Sequence, residues 1–124
     1  MNRTEVEAFI RQEFGGVIVD YPWESTPSYA VYRHTENRKW FALVANVDHQ
    51  ALHLGCDGEV DFINLKCDPD LIDDLLREPG ILPAYHMNKR HWITILLDRN
   101  FPVEQLQSLV ALSYRLTSKT HRSR

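Results

Sequence analysis

Apolar residues recur at helical spacing near the start of the chain, where Val6, Phe9, Ile10 and Phe14 share one face. Thr4 and Glu7 read as a capping box, in which hydroxyl and carboxylate satisfy otherwise unpaired N–H groups, and Gly15–Gly16 supply a left-handed stop. A second, shorter helix is predicted after Asp68. Its carboxylate caps, Pro69 suits the first helical position, and Leu71, Ile72, Leu75 and Leu76 face one way before Pro79–Gly80 ends the run. A long third helix starts near Pro102, capped by Asn100, and reaches about Lys119. Val103, Leu106, Leu109, Val110 and Leu116 form its apolar stripe, leaving Gln105, Ser108, Arg115 and Lys119 to solvent.

Between these helices the period shortens to two. Tyr29–His34 and Lys39–Val47 are β-branched and aromatic runs joined by the polar connection Thr35–Arg38. Val60–Cys67 follows the turn signal Asp57–Gly58, and His91–Leu97 is a fourth strand. Val17–Asp20 reads either as an edge strand or as an extended lead into Tyr21–Pro22. Alternation puts Phe62, Asn64 and Lys66 on one face of their strand, and Trp92, Thr94 and Leu96 on one face of theirs. Short connections favour antiparallel pairing. The expectation is an α+β fold: an antiparallel sheet of four to five strands, with an N-terminal, a short middle and a long C-terminal helix packed on one side.

The 124 residues are 44% hydrophobic and 25% charged, as in a globular chain, so a single domain over 1–124 is expected, with 119–124 as a frayed tail. The Met1–Phe14 segment carries Glu5, Glu7 and Glu13 and lacks the apolar run of a secretory signal. Trp40–Val47, the longest apolar stretch, falls far short of the ~20 residues of a membrane span. Cys56 and Cys67 form no CxxC pair, which suits a reducing compartment. A cytoplasmic protein without a membrane partner is expected.

Charge changes the picture more than composition does. Residues 1–80 hold 15 acidic and 7 basic side chains, residues 81–124 only 2 acidic and 7 basic, within a net charge of −3. A local cationic patch, not the total, decides attraction to phosphate. Tyr85, His86, Asn88, Lys89, Arg90 and His91 concentrate cations, an amide and an aromatic within seven positions. Lys and Arg neutralise phosphates, Asn pairs with base edges, and aromatics stack on exposed bases. Core packing explains Tyr85, Met87 and Trp92 equally well, and a solvated turn explains Lys89 and Arg90.

The run Ala84-Tyr85-His86-Met87-Asn88-Lys89-Arg90-His91-Trp92 resembles the signature of the MmcQ/YjbR family. Asp20-Tyr21-Pro22-Trp23, Lys39-Trp40-Phe41-Ala42-Leu43-Val44, Asn64-Leu65-Lys66-Cys67-Asp68-Pro69 and Ser113-Tyr114 match in the family's order. The resemblance implies a frataxin-like, double-wing topology and a DNA-binding role without settled enzymatic activity. One departure is Thr35-Glu36-Asn37-Arg38, which stands where the family often has a glycine-rich turn.

Other chemistry has little support. His86, His91 and Cys67 lack metal-site spacing, His49 and His53 do not converge, and the carboxylates of the first two helices read as solvated faces. No nucleophile elbow, GxGxxG or GxxxxGK[ST] occurs. The expectation is a DNA-binding protein, with duplex DNA as partner and no catalytic residue, cofactor or metal. It would use an exposed sheet face with Lys66, Tyr85, His86, Asn88, Lys89, Arg90 and His91. The alternative is an interaction domain that holds a protein segment or small ligand in the same groove.

Overall fold

Short connections let the first four strands fold back each on the one before, whereas the longer link through a helix after the fourth strand leaves room for the last strand to insert between the fourth and fifth. The computed structural model describes residues 1–97 and 100–118. Its six strands are β1 (Val17–Asp20), β2 (Ala30–His34), β3 (Trp40–Asp48), β4 (Glu59–Lys66), β5 (Ile81–Pro83) and β6 (Trp92–Leu96). They form one sheet in the order β1-β2-β3-β4-β6-β5, every neighbouring pair antiparallel. The α+β expectation holds, with two refinements: Val17–Asp20 is a true edge strand, and Ile81–Pro83 adds a sixth. Three residues ending in proline carry no readable period, and proline is tolerated there because β5 is the other edge.

Three helices cover one face of this sheet: α1 (Arg3–Glu13), α2 (Pro69–Leu75) and α3 (Val103–Thr117). Val6 and Ile10 of α1, Ile72 of α2, and Leu106, Leu109 and Val110 of α3 pack in one cluster with Ala42, Val44, Ile63, Leu65, Ile93 and Ile95. Helix boundaries differ from the reading of the sequence. The capping box of α1 is Asn2 with Glu5, each side chain bonded to the other's backbone N–H, rather than Thr4 with Glu7. The helix stops at an extended Phe14, and the left-handed residue is Gly16, where a Cβ would lie 2.8 Å from Thr35 Oγ1. Asp68 caps α2 as expected, but α3 begins after Pro102 with no side-chain cap from Asn100. Leu71 and Val103 are 43% and 44% exposed, because each lies in the first turn of its helix, beyond the reach of the sheet. Lys119 and the tail 119–124 lie outside the described residues.

Helix α3 is fastened by polar contacts as well as by its stripe. Its buried Ser113 accepts the Lys66 N–H (2.9 Å) and donates to the Phe41 carbonyl (2.5 Å), taking the place of a ladder bond between β3 and β4 where a register shift interrupts β2–β3 pairing. Tyr114 stacks on Phe14 (4.4 Å) and donates to the Gly15 carbonyl (2.9 Å), so the turn after α1 is held by α3. The hairpin departure at Thr35–Arg38 also docks here, through Asn37 Nδ2 to the Thr117 carbonyl (2.9 Å). Thr117 Oγ1 donates to the Ser113 carbonyl and accepts from Nε2 of buried His34 (2.8 Å).

Burial pushes the His34 pKa below its ordinary 6.5, with nearby Lys39 acting the same way and Glu36 and the Tyr114 carbonyl opposing. In the unfolded chain the imidazole takes a proton as pH falls through 6.5, while folded His34 resists it. Stability is therefore retained above that pH and lost below it. The urea midpoint is expected to drop on going from about pH 7.5 to about 5.5, and to drop less in His34→Gln, which keeps a donor for Thr117. Equal drops would assign the effect elsewhere. Ser113→Ala strands two buried backbone groups and is expected to cost about 1–3 kcal/mol in the same titration.

Candidate functional site

Strand alternation puts Asn64 and Thr94 directly opposite each other on β4 and β6, on the face away from the helices. Both are fully buried, so every polar atom needs a partner. They find it in the chain leaving β5. Tyr85 N–H donates to Thr94 Oγ1 (2.8 Å), Thr94 Oγ1 donates to Asn64 Oδ1, and Asn64 Nδ2 donates to the Tyr85 carbonyl (2.9 Å). The Tyr85 backbone is thus pinned to the sheet by two side chains. Its ring meets Phe62 edge-on (5.6 Å) and lies near Tyr29, whose hydroxyl pKa is raised by burial and then by Tyr85.

Beyond that anchor the chain turns sharply. His86 adopts the left-handed region (φ 58°), which histidine tolerates better than most side chains, and its ring sits 4.0 Å from that of Tyr85. Asn88 Oδ1 accepts the Arg90 N–H (2.8 Å), and its carbonyl accepts the N–H groups of His91 and Trp92. Lys89, Arg90 and His91 are left exposed at the tip. Lys66 is half-buried opposite Trp92, which places it at the same end of the sheet as the tip.

The expected open sheet face is largely closed. Leu43, Ala45, Phe62, Asn64, Thr94 and Leu96 are buried there; Tyr29, Leu52, Leu54 and Tyr85 pack against the cluster of Ala45, Phe62 and Leu96, and Leu82 adds to it from the edge strand β5. Asn64 therefore serves the interior rather than a ligand, Tyr85 contributes packing, and the Asn88 carbonyl oxygen is spent on shaping the turn. The Tyr85–His91 turn takes part in lining three clefts. The first, about 360 Å³, is walled by Trp23, Tyr29, Trp40, Leu43, His86 and Met87, with Ser25 and Thr26 at its polar edge. His86 also borders the second, about 410 Å³, which runs past Leu52, His53 and Tyr85 to Lys89. Lys89 in turn borders the third, about 350 Å³, with Arg90 and the α2 residues Asp70 and Asp73. Ion pairs among the described residues lie elsewhere, at Arg3–Glu7, Arg33–Asp20 and Arg77–Asp74.

Reading the chain for cations overlooks the aromatic cleft. Trp23 stands 5.7 Å from Trp40 and 6.0 Å from Tyr29, nearly perpendicular to both. The available signal was Tyr21-Pro22-Trp23, large aromatics flanking a proline outside any amphipathic element. Among the described residues no three His, Cys, Asp or Glu side chains could hold a metal, and Cys67 is buried with its thiol pKa raised by that burial and by Asp68.

Residues 12–116 match the YjbR family. The chain is 42% identical over 117 residues to the uncharacterized protein YyaQ of Bacillus subtilis (strain 168), covering 94% of this chain and 98% of that one. The chain belongs to the YjbR family. Over 55 residues it is 40% identical to the uncharacterized protein YjbR of Escherichia coli (strain K12), covering 43% of this chain and 46% of that one. The crystal structure of a Pseudomonas syringae protein superposes with a TM-score of 0.91 at 41% identity, over 95% of this chain and all of that one. A Deinococcus radiodurans crystal structure, 24% identical, shares the fold with a TM-score of 0.74 over 100% of this chain and 84% of that one.

In this YjbR-family chain the placement of the Tyr85–His91 turn depends on Asn64 and Thr94. Thr94→Val keeps the shape but strands the Tyr85 N–H and Asn64 Oδ1. A loss of about 1–3 kcal/mol in urea unfolding is expected, together with faster amide exchange at Tyr85. An unchanged exchange rate would show the anchor to be dispensable.

Proposed function

We propose that the chain is a non-catalytic nucleic-acid-binding module that works through the Tyr85–His91 turn, with DNA as its polymer. The observation that carries this reading is that one turn lines both an aromatic cleft, through His86 and Met87, and a cleft bordered by the exposed cations Lys89 and Arg90. Phosphates are met by Lys89 and Arg90 at the tip, with His91 and Lys66 extending the patch at the same end of the sheet. His86 sits where the aromatic and cationic portions meet, and Asn88 holds the tip in shape. Because the backbone that carries the cations is already held by hydrogen bonds, only side-chain freedom is lost on binding.

Asp70 and Asp73 share the third cleft with the two cations and oppose phosphate there, so affinity is modest and depends on salt. A cytoplasmic setting fits the two free thiols, exposed Cys56 and buried Cys67. No helix among the described residues is long and apolar enough to cross a membrane.

Fluorescence anisotropy with labelled single- and double-stranded DNA over a salt series tests the reading. Affinity is expected to fall with salt, and Lys89→Ala and Arg90→Ala each to reduce the log–log slope by about one. Asp73→Asn is expected to tighten binding. Binding that ignores salt and survives both cation substitutions would favour the second reading, a protein segment or small ligand held by the apolar cleft alone.

A further inference from the structure

The first cleft calls for a different ligand group from the tip. Its lining residues include no Asp, Glu, Lys or Arg, so it offers a phosphate no Lys or Arg cation and an ammonium group no carboxylate. Its walls are aromatic and apolar, and about 360 Å³ lies within the range of pockets that hold small ligands. Trp23 is set at 77° to Trp40 and 86° to Tyr29, so the rings make a corner rather than a closed stack. Trp40 is also held by the Arg33 guanidinium, which lies 5.4 Å from its ring centre and is itself bonded to Asp20 (3.1 Å). Trp23 remains 38% exposed, a large side chain that the fold leaves at the mouth. The polar groups at the edge are the hydroxyls of Ser25 and Thr26 and the His86 imidazole, which can donate or accept hydrogen bonds.

We infer that this cleft receives one unstacked nucleobase, whose attached phosphate lies toward Lys89. The inference rests on the nucleic-acid reading above and narrows it to nucleotides with a free base. A nucleobase is planar and uncharged, stacks on aromatic rings, and carries edge groups for hydroxyls and an imidazole. His86 borders both this cleft and the one that ends at Lys89, so a neutral receptor and a cation stand in the order in which a nucleotide presents base and phosphate. An intact duplex has to unstack a base to fill the cleft, at a cost a single strand avoids.

The test combines intrinsic tryptophan fluorescence with anisotropy for a dT12 strand, the dT12·dA12 duplex and the mononucleotide dTMP. The single strand is expected to quench tryptophan emission and to bind at least about tenfold more tightly than the duplex, the size of one stacking contact. Trp23→Ala should weaken the strand about tenfold and abolish most of the quench with the salt slope unchanged, and Trp23→Phe should restore binding. Lys89→Ala should do the reverse, lowering the slope and keeping the quench. Saturable quenching by dTMP that Trp23→Ala removes supports the cleft even if no polymer binds, in which case only the polymer reading falls. Salt-dependent binding in which duplex and strand are equal and Trp23→Ala has no effect would overturn the base pocket and leave the phosphate reading standing. Absence of quenching by both strand and nucleotide would overturn it as well.

Discussion

A buried amide at the centre of a sheet covered on both faces is the constraint on which the rest of this structure depends. Asn64 has no access to water, and its neighbour across the ladder, Thr94, has none either. Left unpaired, each of their polar atoms would cost about as much as a lost hydrogen bond. The chain meets this demand with backbone: the N–H and C=O of Tyr85 close the network. Where Tyr85 is fixed, the left-handed turn at His86 and the Asn88 turn fix the rest. A core requirement therefore sets the position of the exposed cationic turn.

The opposite face follows the same logic with a helix in the role of the loop. Ser113 fills a gap in the β3–β4 ladder, and the N–H it satisfies belongs to Lys66. Tyr114 secures the turn that ends α1, and Asn37 ties the β2–β3 hairpin to the end of α3. Each is a polar group at an element boundary, where strand or helix hydrogen bonding runs out. The cationic residue at the end of β4 and the cationic tip beyond β5 are thus held from the two sides of one sheet.

Charge segregation along the chain has a local counterpart. The acidic N-terminal part contributes Asp70 and Asp73 beside Lys89 and Arg90, close enough to share a cleft, with no ion pair between them. Cations that are neither fully neutralised nor unopposed attract phosphate weakly and release it readily with salt. The aromatic cleft has no Asp, Glu, Lys or Arg in its lining, so apolar and charged surfaces are separated along the same turn.

The sequence by itself determined the architecture: helical and two-residue periods, short polar turns and proline positions specify three helices and an antiparallel sheet, because local hydrogen bonding and burial of alternate side chains act within a few residues. It also marked the cationic tip, since Lys89, Arg90 and His91 adjoin one another in the chain. Only the tertiary structure decided which polar residues face inward and which aromatics meet. Asn64 looks like any residue of a solvated strand face until Tyr85, 21 residues on, is laid over it. Trp23, Trp40 and Met87 line one cleft only in the folded chain, because contacts between distant segments carry no period along the sequence.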